Sequence, residues 1–162
     1  ECLDGIRYGK PKYIDDNIYN ELKNDSSIKK ISYGMVIADK IGNPELEERQ
    51  IETWYMDKIG LEFANCVPTV GEIPVAENEI LIDTKTLDAL GLPHEIGTEV
   101  SLKIQRKGNE YQESFILSGY YESDPLLNIG RIFVSEKYKQ AHSSELINTY
   151  TADGSLAGTV SN

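Results

Sequence analysis

Cysteine and histidine are scarce in this chain: two of each occur in 162 residues, with two methionines and a single tryptophan. That poverty argues against a zinc site, which draws several Cys or His ligands from close spacing, and neither a CxxC pair nor an HExxH run is present. Basic residues are also few. Sixteen Lys and Arg against 27 Asp and Glu give a formal net charge of -11. Nucleic acid is therefore excluded as a partner, because phosphate binding depends on clustered Lys and Arg that release counterions. Anionic membrane surfaces are disfavoured for the same reason, while a cationic partner would be steered favourably at low salt. Long apolar runs are missing too. Nothing approaches the ~20 residues a helix needs to cross a bilayer, and clusters such as Met35-Val36-Ile37-Ala38 and Ile80-Leu81-Ile82 are strand-sized.

Motifs of nucleotide binding and catalysis are equally absent. No Gly-rich phosphate loop ends in Gly-Lys-Ser/Thr, no GxGxxG opens a helix, no GxSxG presents a serine, and no loop spaces carboxylates as an EF-hand does. His94 follows Pro93 in a turn and His142 closes a helix, where a cation suits the C-terminal dipole. Acidic clusters are plentiful: Asp15-Asp16, Glu45 with Glu47-Glu48, Glu77 with Glu79, and Glu122 with Asp124. Paired carboxylates do acid–base work only when an apolar wall raises one pKa. Helix caps and solvated loops account for these clusters instead. No catalytic, cofactor-binding or metal-binding residue is assigned. Cys2 and Cys66 leave two readings open, one disulfide or two unrelated thiols. An acidic first residue, no apolar leader and a polar stretch from Thr151 to Asn162 lead to the expectation of a segment from a longer protein.

What is there is an alternation of short strands and short helices. Cys2 to Tyr8 reads as a first strand. Ile14, Ile18 and Leu22 share one helix face, with Asp15 or Asp16 as cap and Asn24-Asp25-Ser26-Ser27 as stop. Ile31, Tyr33, Met35 and Ile37 alternate, so Ile28 to Ala38 is a strand; Asp39 to Arg49 is a loop or hairpin tip, and Gln50 to Met56 the returning strand. Asp57 caps a brief helix to Ala64, Cys66 to Asn78 is irregular, and Glu79 to Asp83 is a buried strand. Thr84 caps a helix that Gly91 ends. Val100, Leu102 and Ile104, then Tyr111, Phe115 and Leu117, flank a turn at Lys107-Gly108-Asn109, which is a β-hairpin ended by Asp124-Pro125. Arg131 to Ser135 is a strand, Ser135 caps a helix to about Ala141, and Leu146 to Tyr150 has strand character before the pattern is lost. In Trp54-Tyr55 and Tyr120-Tyr121 one ring of each pair must face outward, and outward rings in adjacent strands would suit protein contact. The fold class is α+β, a mixed but mainly antiparallel sheet with short helices in one domain or two small lobes.

The order Val70-Gly71-Glu72-Ile73-Pro74, Glu79-Ile80-Leu81-Ile82, Leu90-Gly91-Leu92, Ile96-Gly97-Thr98-Glu99-Val100 and Ser118-Gly119-Tyr120-Tyr121 resembles the extracytoplasmic core of FtsX/MacB-type ABC-transporter permeases. The match is best over 70–121 and looser over 14–38. Glu72 stands where that family commonly has Arg, and Thr98 where it has Asp. The resemblance implies a MacB-periplasmic-core-like domain over 1–162, lacking the last elements of the family's domain. It further implies a non-enzymatic module at the cell membrane, on its extracytoplasmic side, inserted between membrane helices of the same chain. Its partners would be a separate ABC ATPase subunit, a permease homo- or heterodimer, and a peptide or cell-envelope protein. Its role would be to couple the ATPase to export or extraction of peptides or lipoproteins. Two alternatives stand beside it: a secreted or anchored module that binds a cationic peptide, suggested by the charge, and a hydrolase built from the acidic clusters.

Overall fold

The computed structural model describes residues 16–123, 126, 128–143 and 156–161. Among these residues four short helices and nine strands follow one another without strict alternation. Helix α1 (Asp16–Lys23) stops where expected. The Asn24 N–H returns to Asn20 O at 3.2 Å, and the Asp25 carboxylate takes the Ser27 N–H at 2.8 Å. Strand β1 (Lys30–Val36) follows, then β2 (Lys40–Ile41), a 3-10 turn at Pro44–Leu46, and β3 (Gln50–Met56). Helix α2 (Lys58–Phe63) is capped by Asp57, whose side chain accepts from Gly60 N–H. Strands β4 (Val70–Gly71) and β5 (Glu79–Asp83) precede α3 (Thr84–Ala89). The hairpin β6 (Glu99–Arg106) and β7 (Asn109–Tyr121) leads to β8 (Ile129–Val134), α4 (Glu136–Ala141) and β9 (Leu156–Ser161).

The sheet runs β2-β6-β7-β5-β8-β3-β1-β9, with β4 added against β7. The β3–β8 and β5–β7 pairs are parallel and the rest antiparallel, so the mixed, mainly antiparallel α+β reading holds. Chain continuity then bends this sheet into a barrel. Ile37 N–H still bonds Thr53 O of β3 at 2.8 Å, while Asp39 N–H already bonds Gln105 O of β6 at 2.8 Å. Along the sheet order β1 and β6 are five neighbours apart, about 24 Å if the sheet were flat. Two residues and one hydrogen bond reach only about 12 Å. The sheet must therefore curl, and β1–β2 is a single bent stave that pairs β3 on one side and β6 on the other. Residues 39–49 thus do more than the expected loop. They finish the barrel, with Asn43 bridging Ser101 O (3.0 Å) and Lys103 N (2.8 Å) on the β6 edge.

The barrel interior is filled by alternating residues of these strands: Ile37, Ile80, Ile82, Leu102, Leu117 and Ile132 are all fully buried. Leu46 of the 3-10 turn, Leu87 of α3 and Tyr138 of α4 join this core from outside the strands. A second, smaller cluster forms on the outer face, where Leu61 and Cys66 cover Leu81, Tyr121 and Phe133. Strand β7 serves both clusters because its register slips between the Ile80–Leu117 and Leu81–Gly119 pairs. The extra residue, Ser118, shifts the alternation, so Phe115 and Leu117 face inward but Tyr121 faces out. The β6–β7 connection is the expected tight turn, with Lys107 (φ 51°) and Gly108 (φ 75°) both left-handed, as a type I′ turn requires.

Three readings need correction or fall outside what is described. Asp83, not Thr84, caps α3, accepting from Thr86 N–H. The tail, where the strand pattern is lost in the sequence, carries β9, which pairs antiparallel along β1 from Lys30↔Ser161 to Met35↔Leu156. A short Thr-Val segment suffices there because the lower half of β1 presents backbone groups that need a partner. Expected strands at Cys2–Tyr8 and Leu146–Tyr150, Ile14 of the first helix face, and the Asp124-Pro125 stop lie outside the described residues.

Candidate functional site

Three polar arrangements stand out against this core. The most buried is centred on Asp83, the last residue of β5, which is 1% exposed. Its Oδ1 accepts from Arg49 Nη2 (3.1 Å), Thr86 N–H (3.0 Å) and Ser123 Oγ (2.5 Å), and its Oδ2 accepts from Thr86 Oγ1 (2.5 Å) and Arg131 N–H (3.1 Å). One carboxylate therefore ties together the approach to β3, the start of α3, the chain after β7 and the middle of β8. Gly130 makes the approach feasible, since a Cβ there would collide with Thr86 Oγ1 and come within 2.9 Å of Arg49 Nε. With five donors and a charged partner, Asp83 has no spare lone pair for a substrate. It is a structural hub.

The second arrangement joins the hairpin to α4. Arg106, 2% exposed, donates to the Tyr138 hydroxyl and to Glu113 Oε1 (2.8 Å), and Tyr138 donates to Glu113 Oε2 (2.6 Å). Burial, and then the Glu113 charge beside it, pushes the Tyr138 hydroxyl well above its usual pKa, which keeps it a neutral donor. At the next residue, Lys139 Nζ donates to Tyr33 Oη (2.6 Å) and sits 4.9 Å from the Tyr33 ring centroid and 4.4 Å from that of Tyr55. Tyr19 of α1 meets the same Tyr33 ring edge-on at 5.2 Å.

The third is a surface cleft of roughly 510 Å³ beside the bent stave, lined by Val36, Ala38, Ile51 and Trp54 together with Asp39, Glu47, Glu48 and Glu52. Lys40 and Arg49 also line it, but Arg49 is engaged by Asp83. Glu52 accepts from Trp54 Nε1 (3.3 Å) and from Arg131 Nε (3.1 Å), and Asp39 Oδ2 accepts from Lys107 N–H (2.9 Å). Its chemistry suits a cation or a donor-rich group resting against carboxylate oxygens and an indole. No Ser, Cys or His lines it, so it offers no nucleophile or imidazole base.

The residues weighed from sequence are scattered among these features. Glu45, Glu47 and Glu48 are exposed around the 3-10 turn. Glu79 closes its own loop by accepting from Val75 and Ala76 N–H, both at 2.8 Å, and those bonds lower its pKa. Glu122 accepts from Thr84 Oγ1 at 3.3 Å, while Asp15 and Asp124 lie outside the described residues. The expected clusters are thus not brought together into a carboxylate pair. His94 bonds exposed Asp88 at 2.8 Å, and His142 caps α4 against the Tyr138 ring. Cys66 is buried beneath Tyr121, and desolvation raises its thiol pKa; Cys2 lies outside the described residues. The aromatic pairs split as expected, Tyr55 and Tyr120 inward, Trp54 and Tyr121 outward, but α2 and the segment after it largely cover the outward pair. Among the described residues no group of three His, Cys, Asp or Glu could hold a metal, and no helix is long and apolar enough to cross a membrane.

No family model and no curated protein matches the chain. Solved structures do. The fold is similar to that of an ABC-type transporter's extracellular domain and of a permease domain, at sequence identities of only 13% and 9%. The extracellular domain of the noncanonic ABC-type transporter YknZ from Gram-positive bacteria is similar at a TM-score of 0.58 and 13% identity, over 94% of this chain and 75% of that one. A domain of a permease protein from Porphyromonas gingivalis is similar at 0.55 and 9%, over 88% of this chain and 65% of that one. The periplasmic region of MacB from Actinobacillus actinomycetemcomitans gives 0.48 and 10%, over 88% and 76%.

Proposed function

We propose that this chain is the extracytoplasmic domain of an ABC-transporter permease, carried between two membrane helices of its own polypeptide. A separate ATPase subunit powers it, and the domain couples that work to peptide or lipoprotein substrates or to cell-surface partners. It contributes no catalytic residue of its own. Likeness to the transporter and permease domains supports the fold part of this reading. The observation that supports insertion between two helices is topological: Lys30, at the start of β1, is the strand partner of Ser161, near the end of β9. Chain entering before β1 and chain leaving after β9 therefore pass through one spot on the molecule. A domain inserted into a loop between adjacent membrane helices needs that arrangement, because both connections must descend to the same patch of membrane.

The test uses the full parent polypeptide in its own membrane. Val75 is 66% exposed, so Val75→Cys supplies a label site, in a background where Cys2, Cys66 and any cysteine elsewhere in the parent are replaced by Ala. A membrane-impermeant maleimide should label intact cells as fully as permeabilised ones. Labelling only after permeabilisation would refute the extracytoplasmic placement. A parent chain without apolar helices on both sides of this segment would refute the insertion.

A further inference from the structure

The pairing of β1 is uneven. Its upper part, Gly34–Val36, is bonded to β3, whereas β9 runs beside Lys30–Met35. Among the described residues, Lys30–Tyr33 therefore has β9 as its strand neighbour, and the two form a ribbon that leaves the barrel wall. Side chains, not backbone, return this ribbon to the body. On one face Ser32 Oγ donates to Asp57 Oδ1 at 2.6 Å, with an exposed Lys30–Glu62 pair at 3.2 Å beside it. On the other, Tyr33 receives Lys139, whose side chain is only 13% exposed and whose other charged neighbour is Glu136 at 3.8 Å.

We propose that the β1–β9 ribbon is a lever hinged at Tyr33–Gly34, where β1 parts from β3, and that Lys139 beside Tyr33 and Tyr55 is the latch holding it to the barrel. The hinge follows from the hydrogen bonding: Gly34–Val36 is paired with β3 and Ile37 N–H is bonded to Thr53 O, so any swing of the lower strand is taken up just below Gly34. The latch follows from the chemistry of the contact. Ile31 is buried and Tyr33 packs against the core, so the ribbon has apolar hold as well, but the ammonium set on the Tyr33 oxygen and near the Tyr55 ring is its directional fastening and opens as a unit. Tyr33 also carries Tyr19 of α1 on its ring, so movement of α1 reaches the latch directly.

Hydrogen–deuterium exchange on the 162-residue chain tests this, and reads the lever without a membrane, so its failure would leave the permease reading standing. Lys139→Met keeps the stem and removes the charge. Exchange over Lys30–Tyr33 and β9 should accelerate roughly tenfold or more, the scale of one charge-assisted hydrogen bond, with β5 and β8 within about twofold. Tyr33→Phe, which keeps the ring and removes the acceptor, should give a smaller acceleration confined to the same two strands. It carries the test alone if Lys139→Met does not fold. Unchanged exchange in β1, or equal acceleration in every strand, would overturn the proposal, the second because Lys139 would then be general support for the core.

Discussion

Replacing Asp83 by Asn is the most searching perturbation of this fold, because it changes charge and donor pattern while keeping shape. The new amide oxygen at Oδ1 still accepts from Arg49, Thr86 N–H and Ser123. The amide nitrogen, however, points donor hydrogens at Arg131 N–H, which had been satisfied by Oδ2. Leaving that backbone N–H unpaired costs about 1 kcal/mol or more. Removing the countercharge of Arg49, whose side chain is 13% exposed, costs about 3 kcal/mol, the low end for breaking a buried pair. The sum, about 4 kcal/mol, is a large part of a domain's usual stability of roughly 5–15 kcal/mol. It corresponds to a fall in Tm of roughly 8–16 °C at this size. Urea unfolding should confirm it, with Arg49→Met and the double variant completing a cycle whose coupling is about 2 kcal/mol. Glu62→Gln, which breaks the exposed pair with Lys30, should be close to neutral. A loss below about 1 kcal/mol for Asp83→Asn, or additive single effects, would refute the hub.

Two further outcomes follow from burial and backbone geometry. Gly119→Ala would place a Cβ 2.6 Å from Glu72 O, backbone against backbone, and should cost about 2 kcal/mol in urea unfolding; Gly91→Ala meets nothing within 4 Å and should cost only the left-handed penalty of about 1 kcal/mol. Equal losses at the two sites would show that crowding at β4 is not what selects glycine. Desolvation raises the pKa of Cys66, Tyr55, Tyr121 and Tyr138 above their ordinary values of 9.0 and 10.0. The unfolded chain therefore loses these protons first, so stability is fully present below about pH 9 and falls as pH rises beyond it. Cys66→Ala should delay the onset to about pH 10, and a flat stability profile to pH 11 would contradict the burial.

Local patterning made most elements legible, and what it missed was long-range. The Asp57 and Ser135 caps, strand β3 and the Lys107-Gly108 turn depend on neighbours a few residues away, so residue type and period suffice. Asp83 is different. Its role depends on Arg49, Ser123 and Arg131, 34 to 48 residues distant, and only the Asp-x-x-Thr spacing to Thr86 hinted at a cap. Arg106 falls on the inward side of the β6 alternation with Val100, Leu102 and Ile104, but its charge argues against burial there, and the groups that make burial tolerable lie elsewhere in the chain. Pattern put Arg106 inside; Glu113 and Tyr138 make that tolerable. The β7 bulge was invisible for a related reason. Nothing in Leu117-Ser118-Gly119-Tyr120 marks the one-residue slip except Gly119, whose crowding comes from Glu72, 47 positions earlier in the chain.

Barrel closure also bears on how such a domain could pass a displacement along. In an open sheet the outermost strand can peel away one hydrogen bond at a time, leaving the rest undisturbed. Here the stave that meets the β1–β9 ribbon is bonded to β3 through Ile37 and to β6 through Asp39. A pull reaching Ile37 acts on both neighbours at once, and Asn43, Leu46 and Arg49 fasten the same segment to β6, to the core and to Asp83. Above the hinge the barrel must move as a body or not at all, since close-packed interiors resist continuous deformation. Below it the ribbon is held by side chains alone, the buried Ile31 and the Tyr33 ring together with a few polar contacts. Compliance is thus confined to the part of the molecule where the chain's two crossings, beside Lys30 and Ser161, lie together.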